Sequence, residues 1–148
     1  MNSICELYNR TTGSLQKLSW LPLLLARISM GSIFILSGWG KLHNLPKVIE
    51  FFTELGIPFP ELNARFVGLT EFGCGVLILL GLLTRLASVP LIATMAVAII
   101  TAKRSDIGGI TDLLGFEEFV YIIFFIWFIV SGAGVVSLDA YFARRSRK

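Results

Sequence analysis

The stretch WLPLLLARISMGSIFILSGWGKL, residues 20–42, decides the fold class because it is long and apolar enough to cross a bilayer as one helix. The hydrocarbon core of a membrane is about 30 Å thick, and a helix needs about 20 predominantly apolar residues to span it. Only Arg27 interrupts this stretch before Lys41 at its far end. The sequence therefore predicts a transmembrane helix that begins at Trp20.

Three further apolar runs follow along the chain. They cover residues 64–83, with Glu71 near the middle, residues 86–102 and residues 119–138. Thr84-Arg85 is a very short link between the second and third runs, and it predicts a tight antiparallel hairpin. Apolar residues make up 55% of the chain and charged residues 16%, whereas soluble domains carry about 25% charged residues. We therefore expect an all-α integral membrane four-helix bundle.

The connection between the first two runs contains its own helical pattern. Pro46 is suited to a first helical turn, and Gly56 is suited to a helix end. Apolar residues recur between them at helical spacing, at Val48, Ile49, Phe52 and Leu55. This pattern predicts an interfacial helix on the membrane surface between the first two transmembrane helices.

The basic residues predict the orientation of the chain. Seven of them fall on the side of the two termini and the hairpin link, namely Arg10, Lys17, Arg85, Arg144, Arg145, Arg147 and Lys148. Five fall on the opposite side, namely Lys41, Lys47, Arg65, Lys103 and Arg104. Because positive charge favours the cytoplasmic side, we expect residues 1–19 to be a cytoplasmic or interfacial segment. Residues 20–140 then form the four-helix domain, and residues 141–148 form a basic cytoplasmic tail.

Two stripes of small and charged residues predict how the first two transmembrane helices pack. One stripe contains Arg27, Gly31, Phe34, Gly38 and Lys41, and the other contains Ala64, Gly68, Glu71 and Gly75. Glycines on a stripe let helices approach closely, so Gly31, Gly38, Gly68 and Gly75 are predicted packing positions. A charge at the centre of a bilayer costs at least about 2.5–3.5 kcal/mol. The two stripes are therefore expected to meet and to place Arg27 and Glu71 inside the bundle, where they form a hypothetical ion pair.

A purely structural role for these charges is an equal alternative. Buried charges can fix helix register, and Arg27 can extend to the headgroups. Lys41 and His43 lie at the end of the first helix, where charged and aromatic residues commonly act as anchors. Cys5 and Cys74 lie far apart and form no metal-ligand spacing, so no metal site is expected. A net charge of +3, scattered along the chain, does not indicate nucleic-acid binding.

Three segments carry a resemblance to a known family. They are RISMGSIFILSGWGKL at residues 27–42, EFGCGVLILLGLLTRLAS at residues 71–88 and SGAGVVSLDAYFARR at residues 131–145. Together they resemble the DoxX family of small bacterial four-helix membrane proteins. The family often has a proline after the first glycine of the third segment and an arginine after the second. This chain has Ala133 and Val135 at those positions.

The resemblance implies a bacterial inner-membrane location and a link to redox chemistry. Some members are membrane subunits of thiosulfate:quinone oxidoreductase, and others are partners in complexes that counter oxidative and thiol stress. The resemblance thus implies a partner oxidoreductase subunit and quinone as a cofactor. The candidate catalytic residues are Glu71, as a proton donor, and Arg27, as a stabiliser of negative charge. The candidate quinone-binding residues are Lys41, His43, Arg85 and Asp139.

Two other classes of function remain open. A small proton-coupled transporter would use Glu71 as its coupling acid, because intramembrane carboxylates are frequent in such relays. A non-catalytic scaffold would hold a redox complex together without chemistry of its own. The sequence does not decide whether the chain is an enzyme, and a homo-oligomer is compatible with either alternative.

Overall fold

The computed structural model describes residues 16–146, and these residues form an all-α fold without a β-strand. The helices are α1 (Trp20–His43), α2 (Leu45–Glu54), α3 (Pro60–Leu80), α4 (Thr84–Ala102), α5 (Ile110–Gly115), α6 (Glu117–Ser131) and α7 (Leu138–Arg145), with a 3-10 turn at Arg104–Asp106. The predicted all-α class is confirmed. Residues 1–15, which contain most of the predicted N-terminal segment, lie outside the described part of the chain.

Three of the described helices, α1, α3 and α4, are long and apolar enough to cross a membrane. The fourth apolar run forms the shorter helix α6, which has 15 residues and is therefore about 22 Å long. The expectation of a helix over residues 119–138 is wrong at its end, because α6 stops at Ser131. The described fold is thus multi-pass, with three full-length candidate spans and one shorter apolar helix.

Glycines at positive φ explain why α6 stops early. Gly132 has φ +73° and Gly134 has φ +77°, in the left-handed region that glycine adopts without steric cost. Residues 132–137 form an irregular loop, after which the Ser137 hydroxyl accepts a hydrogen bond from Ala140 N at 3.1 Å and caps α7. The segment predicted as a basic tail from residue 141 is therefore helical as far as Arg145.

The α3–α4 hairpin is as tight as predicted, but its link lies a few residues earlier. Gly81 has φ +67°, and its N–H donates to Ile78 O at 3.1 Å while Leu82 N donates to Leu77 O at 2.9 Å. These two bonds form a Schellman motif. The link is therefore residues 81–83, and Thr84 already begins α4.

The predicted helix between the first two spans is present as α2. Gly56 has φ +69°, and Ile57 N donates to Phe52 O at 3.0 Å, so a glycine terminates this helix in the same way. Its placement on the membrane surface stays a prediction. The α1–α3 and α4–α6 pairs make the most extensive helix contacts in the described chain.

An aromatic and aliphatic core lies between the long helices. Phe34 of α1 packs edge-on against Phe125 of α6, with ring centroids 5.0 Å apart, and Ile78 and Leu91 are fully buried beside them. Many large apolar side chains point outward instead, including Leu36 at 71% exposure. Such an apolar outer surface is unusual for a protein in water and suits contact with lipid.

Candidate functional site

One polar cluster joins α1 to α3 and contains a buried ion pair. Lys41 Nζ forms a salt bridge with Glu71 Oε2. The Ser37 hydroxyl donates to the same carboxylate oxygen at 2.9 Å and accepts from Lys41 Nζ, also at 2.9 Å. Glu71 is only 1% exposed, whereas 27% of the Lys41 side chain is exposed. Glu71 thus has its charge balanced inside the protein.

The spacing of α1 and a close helix contact build this cluster. Ser37 and Lys41 are four residues apart and therefore lie on one helix face. Between them, Gly38 has no side chain to separate the helices, and a Cβ there would lie 2.7 Å from Gly68 O of α3. Gly75 of α3 makes an equally close approach to the Ile35 backbone of α1. The small residues let α3 bring Glu71 within reach of Lys41.

Arg27 belongs to a second cluster, and it does not contact Glu71. Its Nε donates to Ile78 O at 3.1 Å and its Nη2 to Leu79 O at 3.1 Å. Its Nη1 donates to Ala133 O at 2.5 Å and to Val136 O at 2.8 Å. The hypothesis of an Arg27–Glu71 ion pair is wrong, because Glu71 precedes Ile78 by seven residues, which is about 10 Å along the axis of α3.

The Arg27 contacts are those of a structural residue. The guanidinium satisfies carbonyls at the C-terminal end of α3, where a positive charge also interacts favourably with the helix dipole. It holds the 132–137 loop at the same time. All three of its nitrogens are engaged and the residue is 2% exposed. This geometry does not support the expected direct catalytic role of Arg27.

An open groove lies beside this cluster, where the hairpin meets the 132–137 loop. Its volume is about 440 Å³, and its lining includes Arg85, Asp139, Leu83 and Leu86. The exposed Arg85 makes one long contact, from Nη2 to Val130 O at 3.4 Å. Asp139 is fixed more firmly, because its Oδ1 accepts from Leu83 N at 2.9 Å and its N–H donates to Gly81 O at 3.0 Å.

The structure therefore separates the four residues predicted to bind quinone. Arg85 and Asp139 line one groove. Lys41 and His43 lie at the other end of α1, since Lys41 follows Arg27 by 14 residues, or about 21 Å. The His43 ring packs on Trp39 with centroids 4.0 Å apart, and its Nδ1 lies 3.0 Å from Trp39 O. His43 is placed as expected for a helix-end anchor, whereas Lys41 turns inward and pairs with Glu71.

Sequence reasoning missed two kinds of residue. One is Ser37, although its position four residues before Lys41 is a usable sequence signal. The backbone carbonyls of Ala133 and Val136 carry no sequence signal, because any residue supplies a carbonyl. Because Arg27 bonds to backbone carbonyls of this loop, its contacts do not require the side chains that the family often has at positions 133 and 135.

We expect Lys41 and Glu71 to be energetically coupled. In a double-mutant cycle of Lys41→Met and Glu71→Gln, the coupling energy should be about 1–3 kcal/mol, because either single change leaves a buried polar partner without its counter-charge. Unfolding of the purified protein in mixed micelles measures it. The matched cycle of Arg85→Gln with Glu71→Gln should be additive, and an additive Lys41–Glu71 cycle would contradict the ion pair.

The comparisons with known proteins agree on the kind of protein. The family model described as DoxX matches residues 22–104, which include Arg27, Lys41, Glu71 and Arg85 but not Asp139. An uncharacterised membrane protein of Mycobacterium tuberculosis is 36% identical over 134 residues, covering 81% of this chain and 80% of the relative. The inner membrane protein YphA of Escherichia coli is 32% identical, covering 79% of this chain and 87% of the relative.

A third relative has a name that refers to chemistry. It is "Putative oxidoreductase CatD" of Bacillus subtilis, which is 31% identical over 120 residues and covers 80% of this chain and 84% of the relative. No solved structure matches the chain. Within residues 16–146, no group of three or more histidine, cysteine, aspartate or glutamate side chains is arranged to hold a metal ion.

Proposed function

Because this chain belongs to the DoxX family of integral membrane proteins, we propose that it is a subunit or accessory of a bacterial inner-membrane oxidoreductase complex linked to the quinone pool. The name of the Bacillus subtilis relative supports redox chemistry. The complex would be of the thiosulfate:quinone or thiol- and oxidative-stress type. This proposal needs one place on the chain where a quinone headgroup fits.

The groove lined by Arg85 carries the proposal. Its volume of about 440 Å³ lies within the range of about 300–1,000 Å³ that is typical of small-molecule sites. Leu83 and Leu86 supply apolar surface at its wall. Apart from the 3.4 Å contact of Nη2 with Val130 O, the N–H groups of the exposed Arg85 guanidinium can donate to a carbonyl oxygen. Apolar walls with a few placed polar groups are the usual composition of such sites.

We assign separate roles to Arg85 and Asp139, the two charged residues of the groove. A bound quinone would supply the acceptor for two electrons and two protons. Arg85 orients a ring oxygen and stabilises negative charge that develops on it. Asp139 is the carboxylate that lines the groove, so it replaces Glu71 as our candidate for proton exchange. Glu71 lies ten residues before Gly81, which is about 15 Å along α3. It is therefore too far from the groove to exchange a proton there, and it forms the salt bridge with Lys41.

The electron donor in this proposal is a partner subunit. With both termini on the cytoplasmic side, as the basic residues predict, the Arg85 groove also lies at the cytoplasmic end, because the hairpin link and the start of α1 share that end. A partner on the cytoplasmic face then has access to the groove. His43 and Lys41 lie on the opposite side and do not take part.

Changing Arg85 tests the proposal. We expect Arg85→Gln to weaken binding of a short-chain quinone analogue by about 10- to 100-fold, because a hydrogen bond to a charged group contributes about 1.5–3 kcal/mol. Equilibrium binding to the purified protein in nanodiscs measures the effect. Arg65→Gln is the matched control, since Arg65 is an exposed arginine paired with Glu61. Equal affinity in the two variants would contradict the role of the groove.

The alternative functions predict different results in the same system. A proton-coupled transporter would show solute flux in liposomes that Glu71→Gln abolishes. A scaffold would retain a co-purifying partner and show neither quinone binding nor flux. Under our proposal, quinone binding survives Glu71→Gln as long as the variant remains folded.

A further inference from the structure

The last helix, α7, is held at one end and exposed along the rest of its length. Asp139 ties its first turn to the α3–α4 hairpin through the Leu83 N–H and the Gly81 carbonyl. Beyond that turn every residue from 141 to 146 is exposed. Tyr141 and Phe142 are 57% and 50% exposed. The protein therefore presents two aromatic side chains and a basic helix end to its surroundings.

A second, smaller groove runs beside this helix. Its volume is about 300 Å³, and it is lined by Gly134, Val135, Ala140, Ala143 and Arg144. All but one of these residues are apolar or glycine, and the exception is a guanidinium. The groove adjoins the Arg85 groove, with which it shares Gly134 and Ala140. It offers a shallow, open apolar groove with a positively charged side chain on its wall.

The charge around this groove is one-sided. Within the described residues, neither Arg144 nor Arg145 forms a salt bridge. The sequence adds Arg147 and Lys148, so residues 138–148 contain four basic side chains and one acidic side chain. That acidic residue, Asp139, accepts a backbone hydrogen bond at the hairpin. The distal part of α7 therefore lacks a counter-charge from its own segment.

We propose that α7 and its groove bind an anionic phospholipid. The apolar lining takes the first part of an acyl chain, Arg144 on the groove wall binds the phosphate, and Arg145 adds positive charge next to it. A basic segment directly after a membrane helix attracts anionic headgroups. Tyr141 suits the same depth, because the amphipathic rings of tyrosine and tryptophan concentrate at the membrane–water interface. The site does not depend on the proposed quinone site or on an oxidoreductase partner.

Native mass spectrometry of the full-length purified protein tests this site. Phosphatidylglycerol and phosphatidylcholine of equal chain length are titrated against the protein, and the affinity of the first bound lipid is compared. We expect phosphatidylglycerol to bind at least fivefold more tightly, since each basic residue near an anionic surface contributes about a fivefold change. Arg144→Gln/Arg145→Gln should remove that preference. The control, Arg65→Gln/Arg104→Gln, removes two exposed arginines elsewhere and should keep it.

Three further experiments distinguish a bound lipid from a free anion and from a second copy of the chain. Ala143→Trp fills the groove and keeps both arginines, so it should weaken the binding of both lipids. Inorganic phosphate should not compete with phosphatidylglycerol, and competition would overturn the lipid proposal in favour of a free anion. If the double arginine variant instead converts a dimer to a monomer with unchanged lipid preference, the face belongs to a second copy and the proposal is wrong.

Discussion

Replacing Arg27 by methionine is expected to lower the free energy of unfolding by about 4 kcal/mol or more, the largest effect that we predict for a single substitution in this chain. The substitution leaves the carbonyls of Leu79, Ala133 and Val136 without their side-chain donor, and it leaves Ile78 O with the Gly81 N–H alone. Each buried group that loses its partner costs about 1–3 kcal/mol. Unfolding by denaturant in mixed micelles, followed by circular dichroism, measures the change.

Two further variants show whether geometry or charge matters at this position. Arg27→Lys keeps the positive charge but cannot reach four carbonyls on two segments, because an ammonium is a compact point charge. It should recover only part of the lost stability. Arg65→Gln removes an exposed arginine and should cost less than about 1 kcal/mol. If Arg27→Met unfolded like the parent protein, the structural role of the guanidinium would be disproved.

Gly38→Ala is expected to destabilise the protein by about 1–3 kcal/mol, although alanine is the better helix former. A Cβ at residue 38 lies 2.7 Å from Gly68 O and even closer to the Phe72 backbone, so α1 and α3 must separate. Overpacking of this kind costs about 1–3 kcal/mol. Separation of the helices would also weaken the contact between Lys41 and Glu71, which is built on the same faces.

The matched control lies two residues away on the same helix. A Cβ at Gly40 meets nothing within 4 Å, so Gly40→Ala should be neutral or should stabilise the protein by up to about 1 kcal/mol through helix propensity. The change at Gly38 is therefore expected to destabilise the protein, whereas the change at Gly40 is not. The same unfolding assay measures both. Equal effects at the two positions would show that close approach of α1 and α3 does not depend on Gly38.

The helices could be predicted from the sequence because their signals are local. Run length identified the three long spans, and turn residues such as Gly56 marked helix ends. The end of α6 could not be predicted from hydropathy, because residues 132–138 carry no charge before Asp139 and are still apolar on average. What ends α6 is a pair of glycines at positive φ and a loop held by Arg27.

The partners of the buried charges were harder to predict, and for a physical reason. The opposite charges of Arg27 and Glu71 and their expected burial suggested an ion pair. The sign of a charge does not determine how deep its side chain lies in the membrane. Arg27 donates hydrogen bonds to backbone carbonyls, which no pattern of side chains in the sequence reveals. Glu71 pairs with Lys41, which lies closer to it in membrane depth than Arg27 does. The candidate quinone site is therefore the groove lined by Arg85 and Asp139, and not the region of Arg27 and Glu71. Arg85 and Asp139 come together only because the 132–137 loop returns to the hairpin.

Photoaffinity labelling with an azido-quinone in nanodiscs tests the functional account most directly. Labelled peptides from the full-length protein are mapped by mass spectrometry. We expect the label on residues 83–86 and 131–140, the two segments that line the Arg85 groove, with competition by unlabelled quinone. Competable labelling confined to residues 37–43 and 68–72, at the Lys41–Glu71 end, would contradict the assignment of the quinone site, as would the absence of competable labelling.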